Sequence, residues 1–398
     1  MGANISILTV TTLFPNSARP NHGAFVRARL EKLRASGAIS AEVIAPVPWL
    51  PRFVRSTRSG RLDLVPKERM DGTLRIHHPR YLVVPKIGMN FTPYTLFETL
   101  KCTLRNLLLS GRSYDLIDAH YFYPDGVAAV WLGRHFRIPV VVTARGTDLS
   151  LIPNFSTPRR MICEAADEAD GLITVCQALK ERLVELGTPG ARVTVLRNGV
   201  DLERFRPMER GLARAALGLK QRTLGSVGLL IERKGHHHVI RALTEMPETN
   251  LLIVGDGPNR AALMCLAQEL GVAKRVRFLG PVDQTHLAEI YNAMDALVLA
   301  SSREGWANVL LEAMACGTPV VASAVWGTPE VVTASEAGVL MPSVDAKGVV
   351  AAVSQLFAAY PAHEATRRYA EKFSWDATTE GQLTLFRQIV EDQSNSVP

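Results

Sequence analysis

Residues 295–323 read DALVLASSREGWANVLLEAMACGTPVVAS, and the order of residue types in this stretch decides the fold class. Residues 296–300 form a short apolar run of strand type, and 301–305 are polar and turn-like. Across 308–316, Leu310, Leu311 and Met314 fall on one helical face. Gly317 stops that helix, Pro319 forbids its continuation, and Val320, Val321 and Ala322 open a second buried strand. A compact βαβ unit is predicted.

Two carboxylates sit where core packing has no use for them: Glu304 in the loop and Glu312 one turn beyond Asn308. The loop between them ends at a helix N-terminus, where unpaired backbone N–H groups and the positive end of the dipole favour an anion. A phosphate held there, with a carboxylate on either side accepting from sugar hydroxyls, suits a nucleotide sugar. The spacing alone leaves the plainer alternative open, a solvated loop Glu and a water-facing helix Glu.

At 398 residues the chain exceeds what one hydrophobic core serves, so two domains are expected. A hydrophobic fraction of 47% with 21% charged residues describes an ordinary globular protein. The net charge of +7 leaves nucleic acid, an anionic membrane face and phosphorylated substrates open as partners. Five cysteines without a C-x-x-C pair suggest neither a zinc site nor a disulfide framework, and point to a reducing compartment. With no signal core and no apolar run of bilayer length, a cytoplasmic protein is expected, with peripheral contact to the inner membrane face left open.

In the first half, residues 5–10 read as a strand and 11–23 as a Pro- and Asn-rich loop leading into a helix near 24–35. This puts Gly23 at the carboxyl edge of a parallel sheet, where ligands bind. Residues 48–86 read as irregular. Within them Arg52, Arg55, Arg58 and Arg61 recur every third position, a pattern that suits an anionic lipid head group or a diphosphate as well as a solvated surface. The strands at 114–120 and 138–144 end in His120 and Arg145, which places both on the same edge, as functional or as satisfied structural side chains. In the second half, a strand near 223–230 carries Gly228 and is followed by Lys234 at a second helix start. The three histidines 236–238 point about 100° apart on a helix and do not converge on one ion. The turn containing Gly255 is only a weak dinucleotide fingerprint, because Arg260 replaces the third glycine.

EGWANVLLEAMACGTPVVAS closely resembles the donor-site signature of the GT4 family of retaining glycosyltransferases. RNGVDLERFRP, IVGDGP, FLG and GTPEVV are similar to further segments of that family, and the resemblance spans nearly the whole chain. It implies a GT-B fold, α/β, with two doubly wound Rossmann-like domains facing across a cleft. These would be an acceptor domain over 1–205, a nucleotide-sugar domain over 206–375, and a terminal helix over 376–398 crossing back, anchored by Trp375 and ending in a frayed tail.

The implied chemistry is transfer of a sugar from a nucleotide-sugar donor to a hydroxyl of a glycan or polyprenyl-diphosphate-linked acceptor, in envelope or exopolysaccharide synthesis. Neither metal, cofactor nor nucleic acid is implied. Lys234, Glu304, Arg145 and His120 would be catalytic. Gly228, Lys234, Gly255, Phe278, Glu304, Gly305, Trp306, Ala307, Asn308 and Glu312 would hold the donor, with Gly23, Arg52 and Arg55 on the acceptor side. Two departures stand out. Leu229 follows Gly228 where the family often has a phosphate-binding arginine, and Arg145 precedes Gly146 where it often has histidine, so Arg145 is expected to supply the charge lost at position 229. A nucleotide-sugar epimerase of the same build and a non-catalytic nucleotide- or glycan-binding protein are the alternatives.

Overall fold

The computed structural model describes residues 4–50, 61–83 and 88–396. Arg52, Arg55 and Arg58 lie outside the described residues, as does the side chain of Arg61. The chain divides into two units. Unit 1 comprises Met1–Leu196 with Asp376–Pro398, and unit 2 is Arg197–Trp375.

Unit 1 is built on an eight-stranded sheet. Its spatial order is Val193–Val195, Gly171–Thr174, Val140–Ala144, Leu116–His120, Ile5–Val10, Ile39–Ile44, Leu74–His77 and Glu68–Asp71. All neighbours pair in parallel except the last two strands, which form a hairpin. Leu116–His120 and Val140–Ala144 are buried at every position, as expected for strands covered by helices on both faces. The order reverses at Ile5–Val10, whose neighbours are Ile39–Ile44 on one side and Leu116–His120 on the other. Ile7, Leu30, Leu116, Ile173, Leu383 and Phe386 belong to the core, so the helix Asp376–Ser396 is part of it.

Two segments depart from expectation. Residues 48–86, expected to be irregular, contain the strands Glu68–Asp71, Leu74–His77 and Arg80–Leu82. Each is only three or four residues long and carries at least one charged or polar side chain, so none shows a long apolar run. The helix Gly88–Leu109, unassigned in the sequence reading, buries Leu96, Leu100, Leu104 and Leu107, a spacing of four, four and three.

Unit 2 carries six parallel strands in the order Val276–Gly280, Thr249–Val254, Arg222–Val227, Ala296–Leu299, Val320–Ser323 and Gly338–Met341. This is the doubly wound order 3-2-1-4-5-6, and its switch point lies between Arg222–Val227 and Ala296–Leu299. The stretch 295–323 folds as strand Ala296–Leu299, helix Asn308–Ala315 and strand Val320–Ser323, the βαβ unit read from its sequence. Trp375 is the last residue of unit 2, and a Cβ added at Gly199 of that same unit would meet its backbone. The backbone of Trp375 therefore lies against the start of unit 2.

Candidate active site

The loops leaving the two switch-point strands of unit 2 are tied together by their backbones. Ser302 N donates to Arg233 O at 2.9 Å, and Arg233 Nη1 donates to Arg303 O at 2.8 Å. Gly235 closes the turn Glu232–Lys234 with φ 68°, and a Cβ there would stand 1.9 Å from Ala300 O, so only glycine lets the loops approach this closely. At this junction Lys234 Nζ donates to Glu304 Oε1 at 2.6 Å, both side chains being mostly buried. The lysine stem runs past Gly228. Two residues 70 positions apart in sequence thus meet at the carboxyl edge of the sheet, where doubly wound domains bind ligands.

The other residues expected at the donor lie on the neighbouring strand ends and on the segment that follows Glu304. Gly228 N donates to Val254 O and Gly255 N to Gly280 O, which holds the ends of three strands level. Between Phe278 and Gly280 the register against Thr249–Val254 slips, passing over Leu279, and bulges of this kind are common beside functional sites. The ring of Phe278 is half-buried against the core, with the Arg260 guanidinium 5.8 Å from its centroid, so its offering to a ligand is main chain. Gly305 is half-buried. Trp306 and Ala307 are buried, and the indole Nε1 of Trp306 donates to Asn198 O at 2.9 Å. The side chain of Trp306 is therefore committed to the first residues of the unit, and its backbone is what remains for a ligand. Asn308 receives a hydrogen bond on Oδ1 from Asn198 Nδ2 at 3.3 Å.

Glu312, half-buried on the helix Asn308–Ala315, accepts from Tyr291 Oη at 3.0 Å. Burial pushes its carboxyl up to about 7, against the pull of that hydrogen bond and of Arg204. His236 is buried and bonded to Ser226 Oγ and Leu229 O, a structural histidine whose burial holds it down at about 4.

Unit 1 presents a second cluster at its own switch point. His120 ends the strand Leu116–His120, and its Nε2 lies 3.1 Å from Asp118 Oδ2. Arg145, just beyond Val140–Ala144, places Nη2 2.7 Å from His120 Nδ1, and its guanidinium lies 5.6 Å from the centroid of Phe25. The carboxylate of Asp148 accepts from the backbone N–H groups of Phe122, Arg145 and Gly146. Burial drives His120 down to about 4, with Arg145 and Arg29 adding to the effect and Asp118 opposing it. Asp125 accepts from Thr12 Oγ1 at 2.9 Å, and burial lifts it to about 8. Gly23 caps the helix Ala24–Ala35 at φ 67°, where a Cβ would lie 2.2 Å from Leu13 O, so its glycine serves the loop as well as any ligand. Arg52 and Arg55 lie outside the described residues.

The sequence reading missed Asp118, Arg29 and Tyr291. Asp118 carried a usable signal, since it stands two residues before His120 and so on the same face of the strand. Arg29 and Tyr291 carried none, because their partners are distant in sequence.

Residues 39–204 match the family described as Glycosyltransferase Family 4, and residues 210–373 the one described as Glycosyl transferases group 1. The D-inositol 3-phosphate glycosyltransferase of Mycolicibacterium gilvum is 35% identical over 302 residues, covering 70% of this chain and 67% of that protein. The chain belongs to glycosyltransferase family 4.

The Mycobacterium marinum relative of the same description is 34% identical to this GT4 chain, and the match spans 64% of that protein's length and 70% of this chain. Among solved structures, sucrose-phosphate synthase from Thermosynechococcus elongatus aligns with a TM-score of 0.79 at 23% identity, covering 98% of this chain and 100% of that one. Anabaena HepE in complex with UDP-glucose aligns with a TM-score of 0.70 at 20% identity, covering 98% and 99%. At these identities the structural matches establish the fold, which is GT-B, and the GT4 membership rests on the sequence.

Proposed function

We propose that this GT4 protein is a retaining glycosyltransferase that moves a sugar from a nucleotide-sugar donor to a hydroxyl of a glycan or lipid-linked acceptor. The observation that carries the reading is the Lys234–Glu304 pair at the switch point of unit 2, a cation and a carboxylate held at the sheet edge by joined loops. In this reading Lys234 turns to the departing diphosphate. The first N–H groups of Asn308–Ala315 hold the phosphate, Glu304 accepts from sugar hydroxyls, and Glu312 accepts from the ribose. The main chain about Leu279 takes the base edge.

The acceptor oxygen forms its bond to the anomeric carbon on the face from which the diphosphate oxygen leaves. The acceptor's proton passes to that oxygen, so configuration is retained without a covalent enzyme intermediate. Lys234 and the helix dipole supply the charge compensation, and turnover is expected to survive chelation of divalent ions. Unit 1 is assigned to the acceptor. A polyprenyl-diphosphate carrier at the cytoplasmic membrane face is in keeping with the net charge of +7 and the arginines at 52 and 55. No helix among the described residues is long and apolar enough to cross a membrane.

The test is a panel of nucleotide sugars, led by UDP-glucose because HepE was solved with it. The panel is screened by thermal shift and then by transfer of labelled sugar to membrane extracts. A donor that raises the melting temperature and is consumed only with an acceptor supports the reading. Conversion of labelled donor to an altered free sugar without acceptor would replace it with an epimerase, and binding without turnover on any acceptor would leave a binding protein.

A further inference from the structure

His120 has both ring nitrogens engaged, and the partners fix which one carries the proton. A guanidinium donates and never accepts, so the 2.7 Å contact from Arg145 Nη2 requires a lone pair on Nδ1. The neutral ring then bears its hydrogen on Nε2, which faces Asp118 Oδ2 at 3.1 Å. Protonating Nδ1 would set two donors against each other inside a site where the ring is 1% exposed. A general base needs a lone pair it can spend on substrate, and here that lone pair is already spent.

The carboxylate at the other end is fixed in turn. Gln382 Nε2 approaches Asp118 Oδ2 at 3.4 Å, and Arg29 Nε donates to Gln382 Oε1 at 2.7 Å while its Nη1 donates to Leu196 O at 3.1 Å. The charged and polar groups of this cluster come from four places: Asp118 from the strand of His120, Arg145 and Asp148 from the segment after Val140–Ala144, Arg29 from Ala24–Ala35, and Gln382 from Asp376–Ser396. Arg29, Asp118, His120 and Gln382 are 1–2% exposed, whereas Arg145 reaches 8% and stands at the carboxyl end of its strand. Arg145 is the member of this cluster nearest solvent.

We propose that Asp118 and His120 are positioning residues for Arg145: His120 is locked as the neutral Nε2–H tautomer and moves no proton during turnover, and the group of this cluster that meets substrate is the Arg145 guanidinium, binding an anionic oxygen. The part concerning substrate rests on the transferase reading above, and the tautomer does not. The expectation that His120 is itself catalytic is thereby replaced. Burial and the neighbouring arginines act in the same direction, since both disfavour a charged ring.

The tautomer is read directly from long-range ¹H–¹⁵N spectra of histidine-labelled full-length protein, with the His120 signal assigned by its loss in His120→Gln. A single Nε2–H pattern that is unchanged from pH 5.5 to 8 is expected. An Nδ1–H pattern, or titration between pH 6 and 7, overturns the proposal while leaving the transferase reading intact.

Kinetics supply the second arm. Glutamine offers one donor and one acceptor at similar separation and cannot shuttle a proton at neutral pH. His120→Gln should therefore stay within about threefold of wild-type kcat, with an unaltered pH profile, while His120→Ala, which strands both neighbours, should lose more than about tenfold. If the glutamine variant melts normally yet falls as far as the alanine variant and loses one limb of the pH profile, His120 is a proton carrier. If the spectra hold and no donor is ever turned over, the transferase reading fails alone.

Discussion

Tyr291 donates its hydroxyl hydrogen to Glu312 Oε2 at 3.0 Å, and the carboxyl that receives it sits at about 7, well above its ordinary 4.5. Between these two values the folded protein binds a proton on Glu312 that the unfolded chain has released. Stability contributed at this site is therefore fully present below about 4.5 and is lost as pH rises toward and through 7. Melting curves from pH 5 to 8 should show wild type losing more stability over this range than Glu312→Gln. Equal slopes would mean that Glu312 does not titrate there.

The same titration bears on donor binding. Ribose hydroxyls are donors and need the ionised carboxylate, so nucleotide affinity should rise between pH 6 and 8 in wild type and stay nearly flat in Glu312→Gln. Isothermal titration with UDP at three pH values decides this. Parallel pH dependence in both proteins would move the ribose contact elsewhere.

Breaking the Lys234–Glu304 pair from either side leaves a mostly buried charge without its partner, at a cost of about 3 kcal/mol. Removing both charges, as Lys234→Met with Glu304→Gln, should restore much of the urea midpoint and none of the transfer activity. Recovery of activity in the double variant would show that the pair is structural only.

Gly235→Ala places a methyl group 1.9 Å from Ala300 O at a φ of 68°, which should cost about 3 kcal/mol in urea unfolding. Because this residue closes the two loops onto each other, kcat/KM should fall with stability even at temperatures where the variant is fully folded. A stable, active alanine variant would mean that the loop junction can open without consequence.

Leu229 is 59% exposed, so an arginine fits there without disturbing the core. If Arg145 supplies the phosphate charge that position 229 lacks, Arg145→Ala should weaken donor or acceptor binding by more than about tenfold, and adding Leu229→Arg should recover part of it. The Arg145 guanidinium is tied to His120, so the recovery should appear in KM before kcat. No recovery in either constant refutes compensation.

Much of unit 2 was legible because its signals are local. Gly317 and Pro319 mark the end of Asn308–Ala315, and the strands on either side are unbroken apolar runs. The Glu304 and Glu312 spacing pointed to this edge of the sheet, but it could not say that Glu304 is already held by Lys234, a contact 70 residues apart in sequence. Trp306 shows another limit, since adjacency to the site motif could not say that its indole bonds Asn198 O.

The charged edge strand Glu68–Asp71 was invisible because it carries no apolar face to mark it, and Leu74–His77 is only four residues long. The Arg29, Gln382 and Asp118 chain was invisible because 353 residues separate its first two members.

Unit 1 takes its first 196 residues from one end of the chain and its last helix from the other. A ribosome moving at about 5–20 residues per second needs roughly 10–40 s to travel from Leu196 to the helix that carries Gln382 and Phe386. During that interval Arg29 lacks its side-chain partner and the hydrophobic wall that Phe386 will cover stands open. The ribosome must therefore make all of the second unit before the first can close.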